Sequence, residues 1–76
     1  MLLIYGTSQC PWCDRAKELA ESYSTPYYYH DIGNDLDKRE FIKSEGHRTV
    51  PQCYFKSDDN MEHIGGYEKL KEYLSA

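Results

Sequence analysis

Two cysteines separated by two residues, in the run Cys10-Pro11-Trp12-Cys13, are the side chains of this chain best suited to chemistry. Pro11 stands where proline is tolerated in a helix, in its first turn. The unpaired N–H groups and the positive dipole end of a helix N-terminus stabilise an anion, which favours the thiolate of Cys10. Cys13 lies about one turn further on, close enough to attack a mixed disulfide on Cys10. The spacing predicts thiol–disulfide exchange, with Cys10 as nucleophile and Cys13 as resolving thiol.

Three other interpretations of the cysteine pair stay open at this point. The pair could be half of a zinc site completed by Cys53, His47 and His63, although a second closely spaced ligand pair is missing. It could be a structural disulfide, which the lack of an export signal disfavours, or two inert thiols at a chance spacing. Outside these alternatives, Cys53 is predicted to be a core residue and the three histidines surface or strand residues.

Four strands are predicted, at residues 2–5, 27–32, 51–56 and 61–64. The first is a continuous apolar run closed by Gly6, which is typical of a strand buried on both faces. The second follows Pro26 and is rich in residues that favour a pleated surface. The last two flank a polar turn at residues 57–60 and form a hairpin. The first two strands and the helix between them predict a right-handed βαβ unit, the setting in which such a cysteine pair indicates redox chemistry.

Three helices are predicted, at about residues 11–23, from a cap at Asn34 or Asp35 to about residue 45, and from residue 67 onwards. Gly46 ends the second helix and Gly65-Gly66 precedes the third. The apolar stripe of the first helix consists of Ala16, Leu19, Ala20 and Tyr23. The second helix has a thin apolar face of Leu36, Phe41 and Ile42. The third aligns Tyr67, Leu70, Tyr73 and Leu74. The element order is therefore β-α-β-α-β-β-α.

Length and composition limit the classes of function. Seventy-six residues leave room for one domain, residues 1–76. No apolar run approaches the roughly 18 to 20 residues that span a bilayer, so we expect no membrane partner. Nine basic against thirteen acidic residues give a net charge of −4, which argues against nucleic acid as a partner. Three cysteines and no signal-peptide pattern favour a cytoplasmic location.

The chain resembles the glutaredoxin family over nearly its whole length. Cys10-Pro11-Trp12-Cys13 is close to the Cys-Pro-Tyr-Cys of dithiol glutaredoxins, with Trp12 in the place of the tyrosine. Thr49-Val50-Pro51-Gln52 and His63-Ile64-Gly65-Gly66-Tyr67 follow in the order and spacing of the family. The small size and the closing run are most similar to the short bacterial and bacteriophage-type members. The resemblance implies an α/β thioredoxin-like fold, in which a four-stranded mixed sheet is flanked by three helices.

The same resemblance implies a glutathione site. Pro51 is expected to be cis and to face the active cysteine, while Val50 offers its backbone to the substrate like an added strand. Thr49 and Val50 are assigned to the cysteinyl part of glutathione, and Trp12 to a wall of its groove. The residues assigned to the γ-glutamyl end, where the N-H groups of a helix can hold a carboxylate, are Gly66, Tyr67 and Glu68.

Two departures from the family pattern concern glutathione. Many relatives carry Lys or Arg just before the CxxC motif, where this chain has Thr7-Ser8-Gln9. Arg48 and Arg39 are the candidates to compensate, but each is expected to be a solvated surface charge. Relatives also tend to place an aspartate two residues after the aromatic that follows the paired glycines. This chain has Lys69 there, and Glu68 is the expected replacement.

The predicted function is that of a dithiol glutaredoxin. Through Cys10 and Cys13 it reduces protein disulfides and glutathione mixed disulfides, with glutathione as co-substrate and with no metal or tightly bound cofactor. By resemblance, ribonucleotide reductase is one downstream protein, and we expect the chain to be a monomer. Two alternatives remain: a redoxin of the same fold fed by thioredoxin reductase, and an iron–sulfur or metal-binding module that uses Cys10 as a ligand. Pro11 counts against the second, because a proline there accompanies redox function in the family.

Overall fold

A computed structural model describes all 76 residues as a four-stranded mixed sheet covered by helices on both faces. The strands are β1 (Leu2–Gly6), β2 (Tyr27–Asp31), β3 (Gln52–Lys56) and β4 (Met61–Gly65). The helices are α1 (Pro11–Ser22), α2 (Leu36–Ser44) and α3 (Tyr67–Ser75). Their order in the sheet is β2-β1-β3-β4, with β1 parallel to β2 and both other pairs antiparallel. The predicted element order and mixed sheet are confirmed. No helix is both long and apolar enough to cross a membrane.

Strand β1 is buried on both faces, as its continuous apolar run predicts. Successive side chains of a strand point to opposite faces of the sheet. Leu2 and Ile4 therefore enter one core, which α1 and α3 complete, and Leu3 and Tyr5 enter the other, which α2 completes. The fully buried members from α1, β3 and α3 in the first core are Ala16, Ala20, Cys53 and Leu70. Because both cores hold β1, the loop that leaves its end and carries Cys10 starts from a fixed point.

The helix termini explain where the sequence predictions are wrong. Tyr23, expected on the apolar stripe of α1, is 46% exposed because it is the C-cap and α1 ends at Ser22. Leu36, expected on the apolar face of α2, is 65% exposed because it is the first residue of that helix. Of the two predicted caps for α2, it is Asp35 whose carboxylate accepts the Lys38 N–H, at 3.2 Å. Tyr73, at the margin of the α3 stripe, is also partly exposed.

Candidate active site

Cys10 is the N-cap residue of α1, and Cys13 lies in its first turn. The two form a disulfide. The Cys10 sulfur also accepts a hydrogen bond from the Cys13 N–H at 3.1 Å. Cys13 is completely buried, whereas Cys10 is half-buried. Of the two sulfur atoms, that of Cys10 is therefore the one an incoming molecule can reach.

The segment before β3 runs past the Cys10 sulfur. The Val50–Pro51 peptide bond is cis, as expected, and Pro51 is buried. The Val50 carbonyl oxygen lies 4.0 Å from the Cys10 sulfur. This places an irregular piece of backbone, ahead of the β3 ladder, beside the reactive atom. Such backbone can pair with an extended peptide in the manner of an added strand.

A groove of about 330 Å³ opens between the start of α1, the segment before β3 and the start of α3. Its lining consists of Trp12, Thr49, Val50, Pro51, Gly66, Tyr67, Glu68 and Lys69. The groove thus brings together all seven residues that the family resemblance assigned to glutathione, and adds Lys69. Gly66 is the N-cap of α3 and provides no capping side chain, so the first N–H groups of that helix keep no side-chain partner at the groove.

Aromatic rings form one wall of the groove. The centroids of the Trp12 and Tyr67 rings are 5.3 Å apart, so the two side chains pack although Trp12 is 48% exposed. The Arg15 guanidinium lies 4.5 Å from the centroid of the Trp12 ring, a cation–π contact of about 0.5–1 kcal/mol at an exposed site. The large ring is therefore held at the groove by neighbours on both α1 and α3.

Behind the groove, Gln52 fixes the segment that contains Thr49. This side chain is buried, and its amide nitrogen donates to the Thr49 carbonyl at 3.0 Å and to the Thr49 hydroxyl at 3.2 Å. The amide oxygen of Gln52 lies 2.8 Å from Nε2 of His63. An amide oxygen only accepts, so Nε2 of His63 carries the hydrogen. Sequence analysis missed this link, because neither residue belongs to a pattern that predicts contact across strands.

His63 also packs against a second histidine. The rings of His47 and His63 are 4.5 Å apart, and Nε2 of His47 lies 2.7 Å from the Tyr54 hydroxyl. Burial and then the nearby His47 lower the pKa of His63, although Glu45 acts in the opposite direction. His63 is thus linked to the segment before β3 through Gln52, and His47 packs against His63.

The two arginines that are candidates to replace the missing charge have different surroundings. Arg39 donates from Nε to the Ile32 carbonyl at 2.9 Å and from Nη2 to the Gly33 carbonyl at 3.0 Å. Its guanidinium thus ties α2 to the turn after β2. Arg48 is exposed and lines a second cleft, of about 260 Å³, that borders on Thr49 and Val50. Of the two, Arg48 has its charge available to a ligand beside the groove.

Cys53 takes no part in the site. It is fully buried in the core between the sheet and the two helices α1 and α3, as predicted, and burial raises the pKa of its thiol to about 12. A thiol with such a pKa carries almost no thiolate near neutral pH and is a poor nucleophile. No group of three or more His, Cys, Asp or Glu side chains is arranged to hold a metal ion.

Comparison with known proteins relates this geometry to a family. Residues 2–59 match the family model described as Glutaredoxin. Glutaredoxin 1 of Escherichia coli strain K12 is 37% identical over 86 aligned positions, which cover 97% of this chain and 96% of the relative. The glutaredoxin-like NrdH-redoxin of Escherichia coli superposes with a TM-score of 0.76 at 16% identity, covering 97% of this chain and 90% of that one. A buckwheat glutaredoxin in complex with glutathione gives 0.76 at 23% identity, covering 97% and 67%.

The fold, the disulfide at the start of α1 and these similarities together define a thiol–disulfide oxidoreductase with a thioredoxin-like fold. Within that class, the chain belongs to the glutaredoxin family.

Proposed function

We propose that this glutaredoxin uses glutathione to reduce protein disulfides and glutathione mixed disulfides. The observation that carries the proposal is the groove beside Cys10, which gathers residues from α1, the segment before β3 and the start of α3. The buckwheat relative with the same fold was solved with glutathione bound. A tripeptide of this size fits a groove with an apolar wall, an exposed backbone edge and a helix N-terminus.

In the proposed reaction, Cys10 acts as a thiolate. Its sulfur attacks one sulfur of the substrate disulfide, the substrate S–S bond breaks, and the other substrate sulfur leaves as a thiolate that takes up a proton from water. The new mixed disulfide on Cys10 is then attacked by Cys13 or by a glutathione thiolate. In the first case the Cys10–Cys13 disulfide forms, and two further glutathione molecules reduce it. The position of Cys10 as N-cap favours its thiolate, because the helix dipole and the Cys13 N–H both face the sulfur.

Each part of glutathione has a proposed place in the groove. The cysteinyl unit pairs with the backbone at Thr49 and Val50, next to the Cys10 sulfur. The γ-glutamyl carboxylate binds the N–H groups at the start of α3, and Glu68 meets the ammonium group. The glycine carboxylate extends toward Arg48 in the neighbouring cleft. Trp12 covers the apolar part of the tripeptide.

Lys69 favours a second candidate function. This residue lines the groove at the position where relatives tend to have an aspartate, and it places a positive charge near the proposed ammonium subsite. Like charges at close range weaken binding. The same fold occurs in NrdH-redoxin of Escherichia coli, a glutaredoxin-like protein with a thioredoxin-like activity profile. The alternative is therefore a redoxin that receives electrons from thioredoxin reductase. With either electron source, ribonucleotide reductase is a proposed acceptor.

Parallel turnover assays separate the two candidates. One contains a small glutathione mixed disulfide with glutathione, glutathione reductase and NADPH, and the other contains a protein disulfide with thioredoxin reductase and NADPH. We expect NADPH oxidation in the first assay to exceed that in the second by at least tenfold. The reverse ratio would keep the fold and Cys10 but overturn the glutathione site. Titration of ribonucleotide reductase as the final acceptor, with the preferred electron source, tests the proposed acceptor.

A further inference from the structure

The hydroxyl group of Tyr29 lies close to the buried sulfur of Cys13. Both groups converge on Gly6, the last residue of β1: a Cβ atom at this position would stand 2.5 Å from the Tyr29 oxygen and 2.6 Å from the Cys13 sulfur. The two atoms are therefore no more than about 5 Å apart. Cys13 is completely buried, so water has little access to its sulfur. The missing side chain of Gly6 leaves the space in which the phenol and the sulfur meet.

The Tyr29 hydroxyl stays protonated, and it can exchange its hydrogen-bond acceptor for another one. In the oxidised protein it donates to the Thr7 carbonyl at 2.7 Å. Burial raises the pKa of Tyr29 to about 12, with smaller contributions from Asp31 and Asp14. The Lys17 ammonium lies 4.3 Å from the centroid of the Tyr29 ring and also pairs with Asp14 at 3.5 Å. A neutral phenol of this kind can act as a hydrogen-bond donor, which is what a buried anion requires.

We propose that Tyr29 stabilises the thiolate of Cys13 when a thiol opens the Cys10–Cys13 disulfide. An incoming thiolate attacks the Cys10 sulfur, a new S–S bond forms there, and the Cys10–Cys13 bond breaks. The electron pair of the broken bond goes to the Cys13 sulfur, which leaves as a thiolate in a buried position. The Tyr29 O–H turns from Thr7 to this sulfur and donates a charge-assisted hydrogen bond. The inference rests on the redox pair of the proposed function, but not on its glutathione groove.

Tyr27 provides a matched control on the same strand. It lies two residues before Tyr29 in β2, so its side chain points to the same face of the sheet. Both residues pack against the same core. The hydroxyl of Tyr27, however, donates to the exposed carboxylate of Glu21 at 2.6 Å. Removing that hydroxyl changes a tyrosine to a phenylalanine in the same strand without touching the environment of Cys13.

The experiment measures how fast 2-mercaptoethanol, a thiol that needs no glutathione groove, opens the disulfide of the oxidised protein. Trp12, the only tryptophan, adjoins the disulfide, so its fluorescence reports the opening in a stopped-flow instrument. We expect Tyr29→Phe to lower the second-order rate constant by about tenfold, because a hydrogen bond to a charged group is lost. Tyr27→Phe is expected to change it by less than twofold. Equal rates for Tyr29→Phe and the unmutated protein would overturn the proposal.

The same substitution in a protein that lacks Cys13 separates two effects of Tyr29. One is direct stabilisation of the Cys13 thiolate, and the other is a general effect of its hydrogen bond to Thr7 on the loop. In Cys13→Ser, mercaptoethanol attacks a mixed disulfide of mercaptoethanol on Cys10, and Cys10 is the leaving sulfur. Tyr29→Phe is expected to have less than a twofold effect there, and an equal slowing in both backgrounds would show that Tyr29 acts only by holding the loop.

If Tyr29→Phe fails to fold, the Cζ carbon resonance of Tyr29 in the unmutated protein tests the proposal instead. It must shift on reduction while that of Tyr27 does not, and an unmoved Tyr29 resonance would refute the inference.

Discussion

At the scale of single residues, the two sulfur atoms of the active site have unequal access to a substrate. Cys10 begins the helix and is half-buried, whereas Cys13 is fully buried one turn further on. A substrate disulfide can therefore approach only Cys10, while Cys13 can react only with a group already attached to Cys10. This asymmetry follows from the position of the motif at the start of α1, and it supports the different roles proposed for the two cysteines.

The roles predict different losses on substitution. Cys10→Ser is expected to abolish all activity, because no other thiol at the site can reach and attack a substrate disulfide. Cys13→Ser is expected to keep the removal of glutathione from glutathionylated proteins, which requires only Cys10, and to lose at least 90% of the reduction of internal protein disulfides. Turnover of one substrate of each type by each variant is the measurement. Equal loss of both activities in Cys13→Ser would contradict this division of roles.

Lys69 carries the second residue-scale prediction. Lys69→Asp is expected to lower the KM for glutathione by about three- to tenfold, because it replaces a positive charge near the proposed ammonium subsite with a negative one. The effect is limited by solvent, since the Lys69 side chain is 68% exposed. Steady-state assays at varied glutathione concentration provide the measurement.

Lys71 is the matched control for this change. It lies two residues further along α3, is exposed and does not line the groove, so Lys71→Asp alters the net charge by the same amount. We expect the KM of Lys71→Asp to stay within twofold of that of the unmutated protein. A KM for Lys69→Asp that equals the control value would show that glutathione does not place its ammonium group beside Lys69.

At the scale of elements, the sequence predicted boundaries better than contacts. Each strand or helix terminus that the sequence predicted lies within one residue of the observed terminus, because proline, glycine and capping residues mark the ends locally. The prediction of burial was wrong at Tyr23 and Leu36. A helical pattern gives the direction of a side chain, but it does not show whether a neighbouring element covers a helix terminus. The pairing of Gln52 with His63 was not predictable, because it depends on the register between β3 and β4.

The close packing of Tyr29 and Cys13 around Gly6, the last residue of β1, predicts the effect of a substitution there. Gly6→Ala would place a methyl group 2.5 Å from the Tyr29 oxygen and 2.6 Å from the Cys13 sulfur, closer than van der Waals contact allows. We expect the free energy of unfolding to fall by about 1–3 kcal/mol, since overpacking forces neighbouring groups to shift. Urea unfolding followed by circular dichroism measures the change.

Gly33→Ala provides the comparison for Gly6→Ala. Gly33 is exposed, and the nearest atom to an added Cβ is the carboxylate oxygen of Asp31 at 3.1 Å, which can move. Its expected change in stability is below about 1 kcal/mol. If both glycine substitutions had the same small effect, Tyr29 and Cys13 would not pack as closely against Gly6 as described.

At the scale of the whole molecule, two histidines make stability depend on pH. Burial lowers the pKa of His30, as does the charge of Lys38, and burial and His47 lower that of His63. As the pH falls through the ordinary histidine pKa of 6.5, these two side chains therefore bind more protons in the unfolded chain than in the folded one. The free energy of unfolding rises with pH wherever the unfolded state binds more protons. Stability is thus expected to decrease as the pH falls from 7.5 through 6.5 to 5.5.

Unfolding by urea at pH 7.5 and pH 5.5 measures this dependence. We expect the double variant His30→Gln, His63→Gln to show a smaller difference between the two pH values than the unmutated protein, because glutamine does not titrate in this range. An unchanged pH difference in the double variant would assign the dependence to other groups.

In the proposed cycle, the N-cap position of Cys10 couples the chemical state of its sulfur to a hydrogen bond in the first turn of α1. The Cys13 N–H donates to the Cys10 sulfur, and a hydrogen bond to a charged acceptor is stronger than one to a neutral acceptor. This hydrogen bond is therefore strongest when the Cys10 sulfur is a thiolate and weaker once the sulfur is part of a disulfide. Amide hydrogen exchange at Cys13 is expected to be slower in the reduced protein than in the oxidised one, so this single N–H would act as an internal marker of where the molecule stands in its cycle.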